Sequence, residues 1–383
     1  MLVRGGLALM RVAIHADQPY FRAPGGIGTY LRNLVPALAR RESGLELTLF
    51  HARFAASEPP EPWMRGFPVE ELARSIRALY PGWDLLGRPR LPAALADADI
   101  VHATNPAAVP PISRGQRLVV TVHDLAFLRF PSLFPRAWSF LYRLGLRAAV
   151  RRADAILTPS RNTAEDLLGR TRVEPRKIHV TPLAAALPTS GADPDEVLRR
   201  LAIPEPYVLF VGTLEPRKNL VRLVRAYRRA AGVGLPHTLV LAGPMGWHAE
   251  ALRRELALEG PGRVVLTGPL GAEDLDAVYR RADAFVYPSL YEGFGLPVLE
   301  AMARGVPTVA SATSAVPEVT GDAAIGVDPR SVRDLARAIE RVLSDADLAR
   351  DLAARGRARA ERFDWDETAR LTLEVYERIQ GSK

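Results

Sequence analysis

The chain has 383 residues, 48% hydrophobic and 25% charged, a globular composition longer than one hydrophobic core usually supports, so two domains are expected. It contains no cysteine, which removes disulfides, thiolate nucleophiles and cysteine zinc sites and is compatible with a reducing cytoplasm. The net charge of +8 comes almost wholly from arginine, since lysine occurs only at Lys177, Lys218 and Lys383. Such an excess favours phosphate-rich ligands or anionic lipid surfaces and also follows from biased codon usage, while the lack of zinc-finger spacing or a basic tail argues against nucleic acid.

No apolar run approaches the ~18 residues of a membrane span. The opening Leu7-Ala8-Leu9-Met10 is too short for an export signal and leads straight into Arg11, so residues 1–9 read as an extension before a strand that begins at Met10. Short apolar runs then alternate with helical stretches: 12–15, 45–50, 100–102, 118–122, 155–158 and 178–181. Residues 183–206, rich in Pro, Ala and turn formers, read as an interdomain linker despite a helical piece around Val197 to Leu201. A second series follows at 207–212, 238–242, 263–267, 284–287, 308–311 and 324–326. The expectation is an α/β protein with two doubly wound, Rossmann-like parallel sheets, 10–182 and 207–363, facing across a cleft.

Several segments carry candidate chemistry. Pro24-Gly25-Gly26-Ile27-Gly28-Thr29-Tyr30 follows the first strand and opens a helix, but Leu31 stands where a dinucleotide fingerprint needs its third glycine; a tight turn is the simple explanation. His123 and Asp124 close the run 118–122 at the carboxyl end of a strand, where a ligand would lie, though a lone histidine is more often only hydrogen-bonded in place; His15, His102 and His179 have less in their favour. Arg143, Arg147 and Arg151 recur every four residues along a helical stretch, 136–152, and fit either a solvated flank or a membrane surface. In Gly212-Thr213-Leu214-Glu215-Pro216-Arg217-Lys218-Asn219, two cations precede the next helix. Gly243-Pro244-Met245-Gly246-Trp247 and Gly268-Pro269-Leu270-Gly271 follow later strands and fit turns or ligand loops equally.

The most informative run is Glu292-Gly293-Phe294-Gly295-Leu296-Pro297-Val298-Leu299-Glu300. Its glycines would let backbone N–H groups approach a ligand, and a helix starting near Leu296 or Pro297 would place Glu300 in its first turn. An acidic residue, a glycine loop and a helix N-terminus suit a nucleotide diphosphate sugar. Spacing alone fits equally a strand-to-helix turn in which Glu300 complements the helix dipole.

From Tyr287-Pro288-Ser289-Leu290-Tyr291 through that run to Gly305-Val306-Pro307-Thr308-Val309, the sequence resembles the donor-site signature of the retaining GT-B glycosyltransferases known as glycosyl transferase group 1, or family four. The resemblance implies that Glu292 contacts the transferred sugar and Glu300 the ribose, with Gly293, Phe294, Gly295 and Leu296 in the donor site and Leu270 bordering the base. It also implies that N–H groups of Gly26, Gly28 and their neighbours face the diphosphate or the acceptor, that Arg217 and Lys218 hold the diphosphate, and that His123 contacts the sugar near the reacting carbon. Relatives often carry arginine after the glycine, where this chain has Thr213. The last helical region, 364–380, is expected to cross back to the first half as in similar proteins. The resemblance further implies a hexosyltransferase with no metal or other cofactor; a cytoplasmic location, with peripheral contact at the inner membrane face through the arginine helix as the membrane option, is expected from the composition and that helix. Mannose from GDP-mannose would go to a glycan or lipid-linked acceptor. A UDP-sugar donor, a nucleotide-sugar epimerase and a non-catalytic sugar-nucleotide binding protein are the alternatives.

Overall fold

The computed structural model describes residues 9–21, 24–41, 44–55, 61–185 and 191–381. The chain divides into two compact units: Met1–Pro131 with Arg136–Leu183 and Trp365–Lys383, and Ala184–Asp364 with Ser132–Pro135. Residues 1–8 of the proposed extension, and 186–190 of the proposed linker, lie outside the described residues.

The first unit is built on a seven-stranded parallel sheet of order β3-β2-β1-β4-β5-β6-β7. Its strands are β1 Met10–His15, β2 Leu45–His51, β3 Val69–Glu71, β4 Ile100–Ala103, β5 Arg117–Thr121, β6 Ala155–Thr158 and β7 Ile178–Val180. The second has six, in the order β10-β9-β8-β11-β12-β13. These are β8 Tyr207–Val211, β9 Thr238–Ala242, β10 Val264–Gly268, β11 Ala284–Tyr287, β12 Thr308–Ser311 and β13 Ile325–Val327. Every residue of β4, β6, β8, β9, β11 and β12 is buried, as strands covered by helices on both faces require.

The edge strand β3 has no counterpart in the sequence reading. Val-Glu-Glu carries one apolar residue, and it is a strand because its backbone pairs with Leu49–His51 at the sheet edge. Residues 194–200 form a helix that docks on the second unit: Arg200 Nη2 lies 2.5 Å from Asp274 Oδ1, and Arg281 binds both Asp195 and Glu205.

The helix Trp365–Gly381 belongs to the first unit and packs against the helix Gly25–Arg41. Arg40 Nη2 meets Asp366 Oδ1 at 2.9 Å, and the buried Tyr376 hydroxyl hydrogen-bonds His102 Nδ1 at 2.6 Å. His102 Nε2 in turn lies 2.7 Å from Thr121 Oγ1, which lies 3.2 Å from the Tyr30 hydroxyl. Burial pushes the His102 imidazole down to about 3, so it is a neutral structural pin between β4, β5 and the last helix.

Both sheets reverse strand order beside their first strand, at β1/β4 and β8/β11. At such a switch point the loops leaving the carboxyl ends of two neighbouring strands diverge and open a crevice. In the second unit those loops carry Arg217 and Lys218 after β8 and Glu292 after β11.

The helix Arg136–Arg152 tests how closely the first unit is packed. A Cβ at the buried Gly145 would fall 1.8 Å from Pro106 O. Gly145→Ala gains about 1 kcal/mol of helix propensity, yet the clash should outweigh this by roughly 1–3 kcal/mol. Urea denaturation should show a lower midpoint, and a raised one would refute the contact.

Candidate active site

The loop after β8 is shaped by two backbone contacts. Gly212 has φ 147°, a backbone conformation that favours glycine, while a Cβ there would meet Lys218 Cε at an ordinary 3.7 Å. A Cβ on Gly243, φ 141°, would fall 2.2 Å from Gly212 O; only glycine lets the loops after β8 and β9 touch. Leu214 N–H then donates to Pro244 O at 2.8 Å and Gly246 N–H to Leu214 O at 3.1 Å. The 243–247 loop therefore braces the loop that bears the cations.

Lys218 Nζ donates to Glu292 Oε1 at 2.7 Å and to the Tyr287 hydroxyl at 2.6 Å. Arg217 Nη1 donates to Glu292 Oε2 and to Tyr291 O, both at 2.8 Å. On its other edge, Nε and Nη2 donate to Glu215 Oε1 at 3.0 and 2.7 Å. All four charged side chains are largely shielded from water. Burial pushes the Glu292 carboxyl up, but Arg217 and Lys218 more than reverse this and bring it to about 2. Burial also draws the Lys218 ammonium below its usual range, opposed by Glu292. With two carboxylates against two cations, the cluster carries no net charge, unlike the cationic patch that the sequence suggests.

Glu300 sits apart from this cluster, in the helix Leu296–Ala303 that starts from Gly295 at φ 118°. The expectation that it occupies the first turn is corrected: as the fifth helical residue it stands in the second, because the helix begins at Leu296 with Pro297 in the first turn. The Tyr279 hydroxyl donates to Glu300 Oε2 at 3.1 Å, while the nearby Arg304 directs Nε to Asp276 at 2.7 Å. Without a cation of its own, the carboxyl is pushed by burial up to about 7.

Gly293 and Gly295 form the turn between Glu292 and the helix, with Leu296 half-buried at its start. The buried Phe294 ring packs edge-on against Phe363, centroids 5.7 Å apart. Leu270 is half-buried between β10 and the helix Ala272–Arg280.

Gly26, Gly28 and His123 lie in the first unit. The helix begins at Gly25, so these glycines are helical rather than a loop. Gly28 N–H donates to Pro24 O at 3.2 Å, and a Cβ there would meet Pro24 Cβ at 2.3 Å. The expectation that this N–H faces a ligand is therefore corrected, since helical bonding and packing account for Gly28. Gly26 is exposed in the first turn. Burial pushes His123 down to about 4, and its Nε2 lies 3.1 Å from Thr104 O. A neutral ring donating from Nε2 leaves Nδ1 as an acceptor.

Sequence reasoning passed over Glu215 and Tyr287 as site residues, although both stand inside the runs that carry the resemblance. A carboxylate two positions before Arg217 is the signal that could have found the first. Nothing in the sequence shows that Tyr287, at the end of β11, would meet Lys218. Among the described residues no group of three or more His, Asp or Glu is placed to hold a metal ion.

Two parallel sheets with switch-point loops are the architecture of a GT-B fold, and the relatives show a nucleotide-sugar-dependent glycosyltransferase. Residues 196–359 match the family described as glycosyl transferases group 1, and residues 24–185 the one described as glycosyltransferase family 4; the chain belongs to this glycosyltransferase family. It is 32% identical to O-antigen chain mannosyltransferase B of Escherichia coli over 95% of this chain and 98% of that protein. It is 31% identical to D-inositol 3-phosphate glycosyltransferase of Salinispora tropica over 94% of this chain and 82% of that one. In fold it resembles sucrose-phosphate synthase from Thermosynechococcus elongatus, with a TM-score of 0.74, 23% identity and coverage of 98% of this chain and 100% of that one.

The Glu300 carboxyl gives the site a pH signature. Unfolded, it ionises near its ordinary 4.5; folded, it keeps its proton to about 7. The folded state thus binds more protons between these values, so this group lowers stability as pH rises from 4.5 to 7. Glu300→Gln cannot ionise and should melt above wild type at pH 8 by an amount on the order of 3 kcal/mol. The gap should close towards pH 4.5, and a pH-independent difference would contradict the environment described.

Proposed function

We propose that the enzyme transfers mannose from GDP-mannose to a glycan or lipid-linked acceptor with retention of configuration. The observation that carries this reading is the Lys218–Glu292–Arg217 constellation at the β8/β11 switch point. The sugar is suggested by the name of the E. coli relative, which shares nearly the full length of the chain.

In this reading the incoming diphosphate replaces Glu292 as the partner of Lys218 and Arg217. Glu292, held ionised, is then free to accept hydrogen bonds from hydroxyls of the sugar, while Glu300 accepts from the ribose. The bond from the anomeric carbon to the phosphate oxygen breaks, and the bond to the acceptor oxygen forms on the same face. The acceptor's proton passes to the departing phosphate oxygen, so no enzymic nucleophile takes part. Fixed cations next to that oxygen stabilise charge that grows in the transition state. Together with the N-terminus of the helix from Leu296, they make a divalent ion unnecessary. The expected result is nucleotide release from GDP-mannose, out of a panel of GDP-, UDP- and ADP-sugars, persisting after chelation. Turnover with a UDP-sugar alone, or turnover restored only by a divalent ion, would each overturn the corresponding part; interconversion of sugars without transfer would point to an epimerase.

The proposal extends to a peripheral contact with an anionic bilayer. Along the helix Arg136–Arg152, Arg136, Phe140, Arg143, Arg147 and Arg151 share one exposed stripe, and the helix contains no acidic residue. Among the described residues none of these arginines has an ion-pair partner. Phe140 is 63% exposed. The neighbouring turn Gly82–Leu86, tied to this helix by Arg152 Nη1 on Trp83 O at 3.0 Å, exposes Leu85 and Leu86 by 58% and 76%. Arginines near an anionic surface contribute about 1 kcal/mol each, and apolar side chains add insertion. No helix among the described residues is long and apolar enough to cross a membrane. Wild type should co-sediment with vesicles containing phosphatidylglycerol and not with pure phosphatidylcholine, and Arg143→Glu/Arg147→Glu should abolish this. Equal sedimentation of the variant would remove the membrane contact from the proposal.

A further inference from the structure

Arg217 lies between two carboxylates that are differently anchored. Glu292 comes from the loop after β11 and is shared with Lys218. Glu215 belongs to the cation loop itself, and its side chain is only 2% exposed. Lys218 N–H donates to Glu215 O at 3.0 Å, and a Cβ on Gly246 would fall 3.1 Å from Glu215 Cβ, so the bracing loop closes directly over it. Glu215 Oε1 takes both Arg217 bonds on that edge, while Oε2 has no hydrogen-bond partner among the described residues. With both side-chain bonds to this carboxylate among the described residues coming from one guanidinium, Glu215 is dedicated to Arg217.

We propose that Glu215 is a positioning residue: it braces Arg217 while Glu292 changes partner from the cations to the donor. This rests on the reading that Arg217 meets the departing diphosphate. When Glu292 lets go, this long side chain loses one of the two carboxylates that fix its direction, and the ordering must come from the other. Glu215 keeps the Nε–Nη2 edge engaged and leaves the Nη1 edge, already turned towards Glu292, for the phosphate. Arg217 therefore serves as a pre-aimed donor rather than as a fork swinging freely onto the ligand.

The test is a double-mutant cycle on the full chain, read by GDP titration and by KM and kcat. Arg217→Ala should weaken GDP binding and slow turnover by factors on the order of ten or more. Glu215→Ala should reproduce most of that loss, and the double variant should be no worse than Arg217→Ala. Added guanidinium ion should restore activity to Arg217→Ala and fail to do so in the double variant, because the carboxylate that would seat the ion is gone. Additive losses, or rescue without Glu215, would overturn the brace alone. An Arg217→Ala variant with unchanged GDP affinity and turnover would instead overturn the donor-site reading beneath it. Should Glu215→Ala fail to fold, the isosteric Glu215→Gln gives the same readout through rescue of Arg217→Ala, and undiminished rescue would count against the proposal.

Discussion

Four charged side chains nearly out of water hold the loops after β8 and β11 together. An unpaired ion in such a place is untenable, and removing one member of a buried pair typically costs about 3–5 kcal/mol. Any loop arrangement that separates Glu292 from Lys218 and Arg217 strands at least one charge, so pairing selects one geometry. The switch point makes the pairing possible, because β8 and β11 are neighbours in the sheet although more than seventy residues apart in sequence. Gly212 then supplies the left-handed turn after β8, and Gly243 allows the close approach of the bracing loop.

The same geometry sets the functional problem. In the proposed function, a cluster whose charges cancel does not attract a diphosphate by net charge but exchanges one internal partner for it. On that reading, exchange would serve catalysis better than a bare cationic patch. The cations are already desolvated and aimed, so little reorganisation remains when charge moves onto the leaving group. Glu292 is a natural partner to release because it comes from the opposite loop.

Glu292 and Glu300, eight positions apart, show how far environment separates identical side chains. One lies against two cations and stays ionised to about pH 2; the other has a tyrosine hydroxyl for company and holds its proton to about 7. In both cases burial raises the pKa. What differs is the cationic company, and that is a matter of which loops the sheet brings together.

Much of the chain was legible in its residues. Among the described residues, the alternation of short apolar runs with helical stretches located twelve of the thirteen strands and implied two parallel sheets, because buried parallel strands must be apolar on both faces. β3 was not legible, since Val69-Glu70-Glu71 is a strand only through its neighbour's backbone. The acidic and glycine-rich run at 292–300 and the cations at 217 and 218 were visible as chemistry because residue type and short spacing are local properties. Their mutual neutralisation, the roles of Glu215 and Tyr287, the packing reason for Gly28 and the seating of Tyr376 on His102 were not. Each depends on a contact that strand order or helix packing creates, often between residues far apart in sequence, and local sequence does not encode which of its charges will meet. The sequence by itself determined the buried strands and the inventory of reactive groups; the tertiary structure decided their partners, because a buried charge needs a partner and a carboxyl without one keeps its proton.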